Sequence, residues 1–336
     1  MKPKLFITRR LPGRAIEKLK EYYEVEVWPH YPPPPRSVLR EKIRKVDALA
    51  TLVTDKIDCS LISNAPKLRI IAQYAVGYDN IDVECATKYG IYVTNTPGVL
   101  TETVADHTWA LILAISRRIV ESDEYVRKGE WHHSGTGWHP MMMVGYDVYG
   151  KTLGIVGLGR IGVAVAKRAK GFSMKILYYS RKRKPKLEKE LRAKYVPLET
   201  LLKEADIVSI HVPLTDETYH MIGEKELRLM KKTAFLINTA RGAVVNTKAL
   251  IKALKEKWIA GAALDVHEQE PLPPDHPLYK FKNVILTPHT GSASWEARTK
   301  MAEIVAKNLI AFAEGKIPPT LVNKEVVNVR KPGFKQ

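Results

Sequence analysis

The chain has 336 residues, 45% of them apolar and 27% charged; at roughly 150 residues per domain it makes about two domains, and it is neither disordered nor collagenous. Its 54 Lys and Arg against 36 Asp and Glu leave a net charge of +18. Anions of some kind should be attracted, with nucleic acid, acidic membranes and small anionic ligands all open on that count alone.

The start, MKPKLFITRRLPGR, is basic but has no uninterrupted apolar stretch after it, so a secretory signal is not expected. Short β-branched and aliphatic runs then read as strands at Lys4–Thr8, Glu24–Trp28, Asp47–Thr51, Leu68–Tyr74 and Ile91–Thr94, with helical patterns between them. Pro32 to Pro35 make an extended connector. Cys59 and Cys85 are too few for a disulfide framework and lie in no metal-ligand spacing, which fits a reducing cytosol; the expectation is a cytoplasmic protein without a bound metal.

A long helix is expected over 101–120, where Val104, Thr108, Leu111, Ile112, Ile115 and Ile119 recur at spacings of three and four. Ala105, Trp109 and Leu113 on the other side predict burial on most faces. The run 109–115 falls far short of the ~18 apolar residues of a membrane span. Residues 125–149, with Trp131, Trp138 and Met141–Met143, show only weak periodicity and read as an arm covering a neighbouring surface. A second strand series follows at Thr152–Val156, Met174–Tyr179, Asp206–Val212, Thr233–Asn238, Gly261–Val266 and Asn283–Leu286, then a helix over 295–313. Alternation of this kind means parallel α/β architecture in two sheets. The two long helices are natural crossings, so residues 1–99 with 291–336 form one domain and 100–290 the other, with hinges near 100 and 291.

Gly157-Leu158-Gly159-Arg160-Ile161-Gly162 follows one strand and opens a helix, the setting that gives a GxGxxG its meaning. Gly157 permits the tight turn, Gly159 lets a pyrophosphate approach the backbone, Gly162 lets helix and strand pack, and the helix amino terminus offers N–H groups. Where an NAD-binding loop has a carboxylate for the ribose, this chain has Ser180, followed by Arg181, Lys182, Arg183 and Lys184. No carboxylate repels a 2′-phosphate and two guanidiniums can pair with it, so NADP(H) is expected over NAD(H), which stays possible. A nucleic-acid role for this run is weaker, since no aromatics interleave.

In open parallel sheets, ligands sit outside the carboxyl ends of the strands. Those ends carry Val76-Gly77, the glycine loop, Ser180, Val212-Pro213, Thr239-Ala240-Arg241-Gly242, Asp265 and Pro288-His289-Thr290-Gly291. Arg241 can hold a carboxylate and an adjacent carbonyl in one plane, with Gly242 leaving its neighbourhood open. Glu270 and His289 follow consecutive strands, and a carboxylate on one imidazole nitrogen would favour an imidazolium that donates its proton from the other. Glu268 is the rival carboxylate and His267 the rival imidazole. His211, His132 and His133 read as structural.

These segments together, Val76 to Asp82, Asn95 to Gly98 with Thr103 to Asp106, the glycine loop, Asn238 to Gly242, Asp265 to Pro271 and Pro288-His289, resemble the D-isomer-specific 2-hydroxyacid dehydrogenase family from about Lys4 to Val329. Within it the chain looks most like the archaeal reductases of glyoxylate and hydroxypyruvate. The resemblance implies two doubly wound parallel-sheet domains, a Rossmann cofactor domain inserted in a flavodoxin-like substrate domain. It implies an NAD(P)-dependent enzyme reducing glyoxylate to glycolate, with hydroxypyruvate to D-glycerate second. Arg241, Glu270 and His289 become the catalytic triad, and Val76 and Gly77 hold the substrate carboxylate with Arg241 and His289. The cofactor contacts are Gly157 to Gly162, Ser180 to Arg183, Val212, Pro213, Thr239 to Arg241, Asp265, His289 and Gly291. A homodimer is implied, with Trp138 reaching the neighbouring site, and neither nucleic acid nor membrane as partner. The alternatives are another dehydrogenase of the family, such as phosphoglycerate dehydrogenase, and a non-catalytic dinucleotide-sensing protein. A formate dehydrogenase is disfavoured because those enzymes resemble a Gln–His pair.

Overall fold

The computed structural model describes residues 1–334, in which twelve strands form two separate parallel sheets. The first unit, Met1–Leu100 with the segment from Ala293 onward, holds β1 (Lys4–Ile7), β2 (Glu24–Val27), β3 (Ala48–Thr51), β4 (Ile70–Gln73) and β5 (Tyr92–Thr94). Their spatial order is β2-β1-β3-β4-β5, the doubly wound flavodoxin-like arrangement. β3 and β4 are buried throughout, as strands covered on both faces must be. Edge strand β2 reads EVEV and is half-buried. One face packs Leu5, Ile7 and Tyr92 against Leu309 and Phe312 of the helix Trp295–Ala313. The opposite face packs Phe6, Leu49, Ile71 and Val93 against Leu61 and Ile62.

Here the reading of the cysteines needs correction. Cys59, opening the helix Cys59–Ile62, is joined to Cys85 in the helix Val83–Lys88 as a disulfide, with Cα atoms 5.5 Å apart. The spacing of 26 residues hid the pair because the two helices meet only through the fold. The Asp82 carboxylate lies within 4.8 Å of both sulfurs, but the sulfurs are bound to each other.

The second unit, Thr101–Ser292, holds β6 (Thr152–Val156), β7 (Lys175–Tyr179), β8 (Ala193–Tyr195), β9 (Ile207–Ile210), β10 (Phe235–Asn238), β11 (Gly261–Leu264) and β12 (Val284–Leu286). The order β12-β11-β10-β9-β6-β7-β8 is that of a dinucleotide-binding sheet, extended by one strand, with its direction reversing between β6 and β9. The helix Thr101–Ser116 buries Val104, Ala105, Trp109, Leu111, Ile112 and Ile115. Trp109 stacks on Phe172 and donates its indole N–H to the Val165 carbonyl at 3.0 Å.

That helix stops short of Val120. The Ser116 carbonyl accepts the N–H of Tyr146 at 2.8 Å, and Arg118 turns left-handed at φ 52° before a new helix, Ile119–Arg127. Crossing backbone thus takes the acceptor that a fifth turn would need. Strand β8 is the element with no counterpart among the expected strands. No helix among the described residues is long and apolar enough to cross a membrane.

Candidate active site

The register of the second sheet sets the site. Val156 pairs with Tyr179 and Ile210, Ile210 with Asn238, Asn238 with Leu264, and Leu264 with Leu286. These last strand residues form one level row, so whatever follows each of them stands on a common rim.

Gly157 follows β6 at φ +99°, and a Cβ there would lie 2.8 Å from the carbonyl group of His211. At Gly162 a Cβ would come within 2.3 Å of the Gly157 oxygen, so the helix Arg160–Ala169 sits against the turn only because that side chain is missing. Gly159 has nothing within 4 Å of an added Cβ. A turn closed behind by two glycines and open in front at the third, with a ten-residue helix behind it, fits a pyrophosphate. Leu158, Arg160 and Ile161 lie along this edge, and the Val212 side chain packs beside Gly157, with Pro213 next in the chain. His211 is held neutral, burial pushing it down to about 3, and its Nε2 meets Ser209 Oγ at 2.8 Å.

Beyond β7, Ser180 Oγ donates to the Lys182 carbonyl at 2.8 Å and closes the basic turn. Arg181 and Lys182 are exposed. Arg183 forms a two-point pair with Glu188 at 2.8 Å for each bond, and the hydrogen bonds from Arg183 and then Tyr178 hold Glu188 down to about 2. The Arg183 guanidinium is therefore already engaged, unlike the ready phosphate ligand expected from sequence. Lys184, the last residue of the basic run, reaches from the same turn to the Leu158 carbonyl at 2.6 Å.

After β10, Asn238 shapes the turn through Thr239 and Ala240. Its Oδ1 accepts the Ala240 N–H at 3.0 Å and its Nδ2 donates to the Arg241 carbonyl at 2.9 Å. Asn at a strand end before such a turn is a legible signal that the sequence reading passed over. Gly242 does not open its surroundings. A Cβ there would lie 1.9 Å from the His267 carbonyl carbon, so the loop after β11 presses directly on the Arg241 turn.

That loop carries Glu270 to His289, which stands on the turn after β12. Glu270 Oε1 accepts the His267 N–H at 2.9 Å and Oε2 meets His289 Nδ1 at 2.8 Å. Desolvation pulls the Glu270 carboxyl upward, but the His289 hydrogen bond and charge, the His267 N–H and the His267 charge outweigh it, and the carboxyl ends below its ordinary range. The rivals sort themselves: Glu268 pairs with His220, while His267 turns its Nε2 to the Thr287 carbonyl at 3.1 Å. Glu270 thus leaves His289 Nε2 as the nitrogen available to a reacting group.

Asp265, 1% exposed, braces the turn that bears His289. Oδ1 accepts from Thr287 Oγ1 at 2.6 Å, the Thr290 N–H at 2.8 Å and its hydroxyl at 3.2 Å, and Oδ2 accepts the Gly291 N–H at 2.7 Å. His107 Nε2, from the helix Thr101–Ser116, lies 3.2 Å from Oδ1. Burial raises the Asp265 carboxyl, yet the hydrogen bonds of His107, Thr287 and Thr290, with the His107 charge, bring it below its ordinary value. A histidine inside an apolar helical stripe was the one sequence sign of His107, and it was missed.

In the first unit, Val76 and Gly77 follow β4 at the carboxyl edge of its sheet. Trp138 is 79% exposed on the 125–149 segment, where Trp131 and Met141 are also exposed.

A family model described as the D-isomer specific 2-hydroxyacid dehydrogenase, NAD binding domain, matches residues 109–291. The chain is 67% identical over 332 residues to a glyoxylate reductase of Thermococcus litoralis, covering 99% of this chain and all of that one. Among solved structures it is similar to the TT0316 protein of Thermus thermophilus, with a TM-score of 0.88 and 46% identity over 95% of this chain and 99% of that one. It is also similar to an NADPH-dependent glyoxylate/hydroxypyruvate reductase of Sinorhizobium meliloti in complex with NADP and malonate, at a TM-score of 0.84 and 33% identity over 100% and 99% of the two chains.

Proposed function

The chain belongs to the D-isomer-specific 2-hydroxyacid dehydrogenase family, and from that premise we propose that this nicotinamide-dependent oxidoreductase reduces glyoxylate to glycolate, with hydroxypyruvate to D-glycerate as its second reaction. The observation that carries the reading is the 2.8 Å bond between Glu270 Oε2 and His289 Nδ1, formed while Glu268 is held by His220.

When bound, the reduced nicotinamide supplies the hydride to the keto carbon. Arg241 takes the substrate carboxylate and carbonyl in the plane of its guanidinium, and backbone N–H groups around Val76 and Gly77 take the carboxylate. His289 gives the Nε2 proton to the carbonyl oxygen as it becomes the hydroxyl. Glu270 keeps the imidazole ring in place and offsets its positive charge before transfer. Asp265 holds the turn that carries His289.

NADPH is the proposed preference over NADH. Ser180 in place of a carboxylate supports it, with Arg181 rather than the Glu188-bound Arg183 as the leading phosphate ligand and Lys182 beside it. The proposed assembly is a homodimer in which Trp138 serves the partner's site. The proposed setting is the cytoplasm, where pyridine nucleotides are supplied.

The test follows NADPH and NADH absorbance with glyoxylate, hydroxypyruvate, pyruvate and phosphohydroxypyruvate. Oxidation with glyoxylate foremost is expected; a chain inert toward all four sinks the proposal. Arg181→Asp should move preference toward NADH, and an unchanged ratio would remove the account given of Ser180.

A further inference from the structure

Beyond β4 the chain turns through Ala75, Val76 and Gly77, and every carbonyl of that turn is tied from behind. Ala75 O accepts the Thr96 N–H at 2.8 Å. Val76 O accepts Asn95 Nδ2 at 2.8 Å, and Gly77 O accepts Gln73 Nε2 at 3.2 Å. The two side-chain amides are themselves fixed. Gln73, fully buried, takes Thr51 Oγ1 on its Oε1 at 2.7 Å and gives its second amide proton to Asn80 Oδ1 at 2.7 Å. Asn80 in turn donates to the carbonyls of Leu52 and Asp55 at 3.0 and 2.8 Å. Asn95 is anchored through its carbonyl, which accepts Thr320 Oγ1 at 2.6 Å.

A trans peptide unit is rigid, with its C=O and N–H pointing in opposite directions. Pinning Val76 O therefore aims the Gly77 N–H, and pinning Gly77 O aims the Tyr78 N–H. Among the described residues no acceptor takes either of these two N–H groups. Two successive, pre-aimed donors at the carboxyl edge of a parallel sheet make an anion seat, whose strength depends on not having to reorganise when the anion arrives.

We propose that Gln73 and Asn95 are positioning residues for the 2-oxoacid: they hold the Val76 and Gly77 peptide planes so that the Gly77 and Tyr78 N–H groups receive the substrate carboxylate. This rests on the reading of the Val76–Gly77 turn as the carboxylate seat. Neither side chain touches substrate; both act through a carbonyl.

The test replaces each amide by the carboxylate of the same shape, Gln73→Glu and Asn95→Asp, in the full-length enzyme loaded with NADPH. At about pH 8, KM for glyoxylate should rise about tenfold, the scale of one lost orienting hydrogen bond, with kcat nearly unchanged. Calorimetry with malonate, a carboxylate that is not reduced, should show the same loss of affinity, while NADPH binds as before. Lowering the pH should bring the Gln73→Glu KM back toward wild type, because the protonated acid can again donate to Gly77 O; a purely structural role would give no such recovery. Asn95→Asp carries the same readout if Gln73→Glu does not fold. Wild-type KM and malonate affinity in both variants would overturn the proposal, as would a fall in kcat at constant KM. Gly77→Pro, which removes one donor, separates the two levels. If it weakens malonate while the amide variants do not, the positioning role alone falls; if it leaves malonate unaffected, the seat itself is wrong and the proposal falls with it.

Discussion

An added Cβ at Gly242 would lie 1.9 Å from the His267 carbonyl carbon and 2.4 Å from the Glu268 nitrogen, and backbone on both sides leaves no flexible group to yield. Gly242→Ala must push the Arg241 turn away from the loop that bears Glu270. Turnover should fall at least a hundredfold, with roughly 1–3 kcal/mol lost in denaturant unfolding. Glu270 gives a prediction in pH. Its folded carboxyl titrates below the ordinary value of 4.5, so its stabilising contribution is complete above that value and is lost as pH falls through the lowered one. The difference in unfolding free energy between wild type and Glu270→Gln should therefore shrink as pH falls through that lowered value; a difference that grows in acid contradicts the assignment. The positions of Arg241, Glu270 and His289 beyond strand ends were legible in the sequence because strand ends can be found by pattern. It left Glu268 and Glu270 as rivals, since choosing between them needs the path of a loop whose direction is set by a contact with Gly242.

At the scale of elements, the helices Cys59–Ile62 and Val83–Lys88 are too short to persist alone, and the Cys59–Cys85 bond closes the chain between them, β4 and the Val76–Gly77 turn included. Cys59→Ser with Cys85→Ser should lower stability by roughly 2–4 kcal/mol, the scale for a loop of this length. The same loss should follow reduction of the wild type, read as equal melting temperatures for reduced wild type and variant. Most strands were legible from their β-branched and aliphatic runs, though the sheet trims several of them to the residues that pair. β8 was not, because Ala193-Lys194-Tyr195 is too short to show a period. Nor was the end of the helix at Ser116, whose apolar spacing continues to Ile119 while the interruption comes from Tyr146, thirty residues on. Elements defined by their own sequence can be read from it; those defined by a distant competitor cannot.

For the whole molecule, the proposed function would give the opening surplus of +18 a partial use, through Arg241 and the turn at Arg181 and Lys182. The helix Ile119–Arg127 buries none of its residues, leaving Ile119, Val120 and Val126 each more than half exposed, with Trp138 and Met141 following. Apolar surface in such density calls for a partner, and a second copy of the chain is the one proposed. Sedimentation should give twice the chain mass, and Ile119→Glu with Val120→Glu should shift it to one; a wild-type monomer at micromolar concentration would remove the dimer. The level row at Val156, Ile210, Asn238, Leu264 and Leu286 has a consequence for how such an enzyme can change over generations. A residue inserted before the row shifts a strand's register and turns its side chains to the wrong face, so the frame resists revision. One inserted after the row rewrites a single loop and leaves its neighbours standing, so new substrates can be tried one loop at a time on an unaltered foundation.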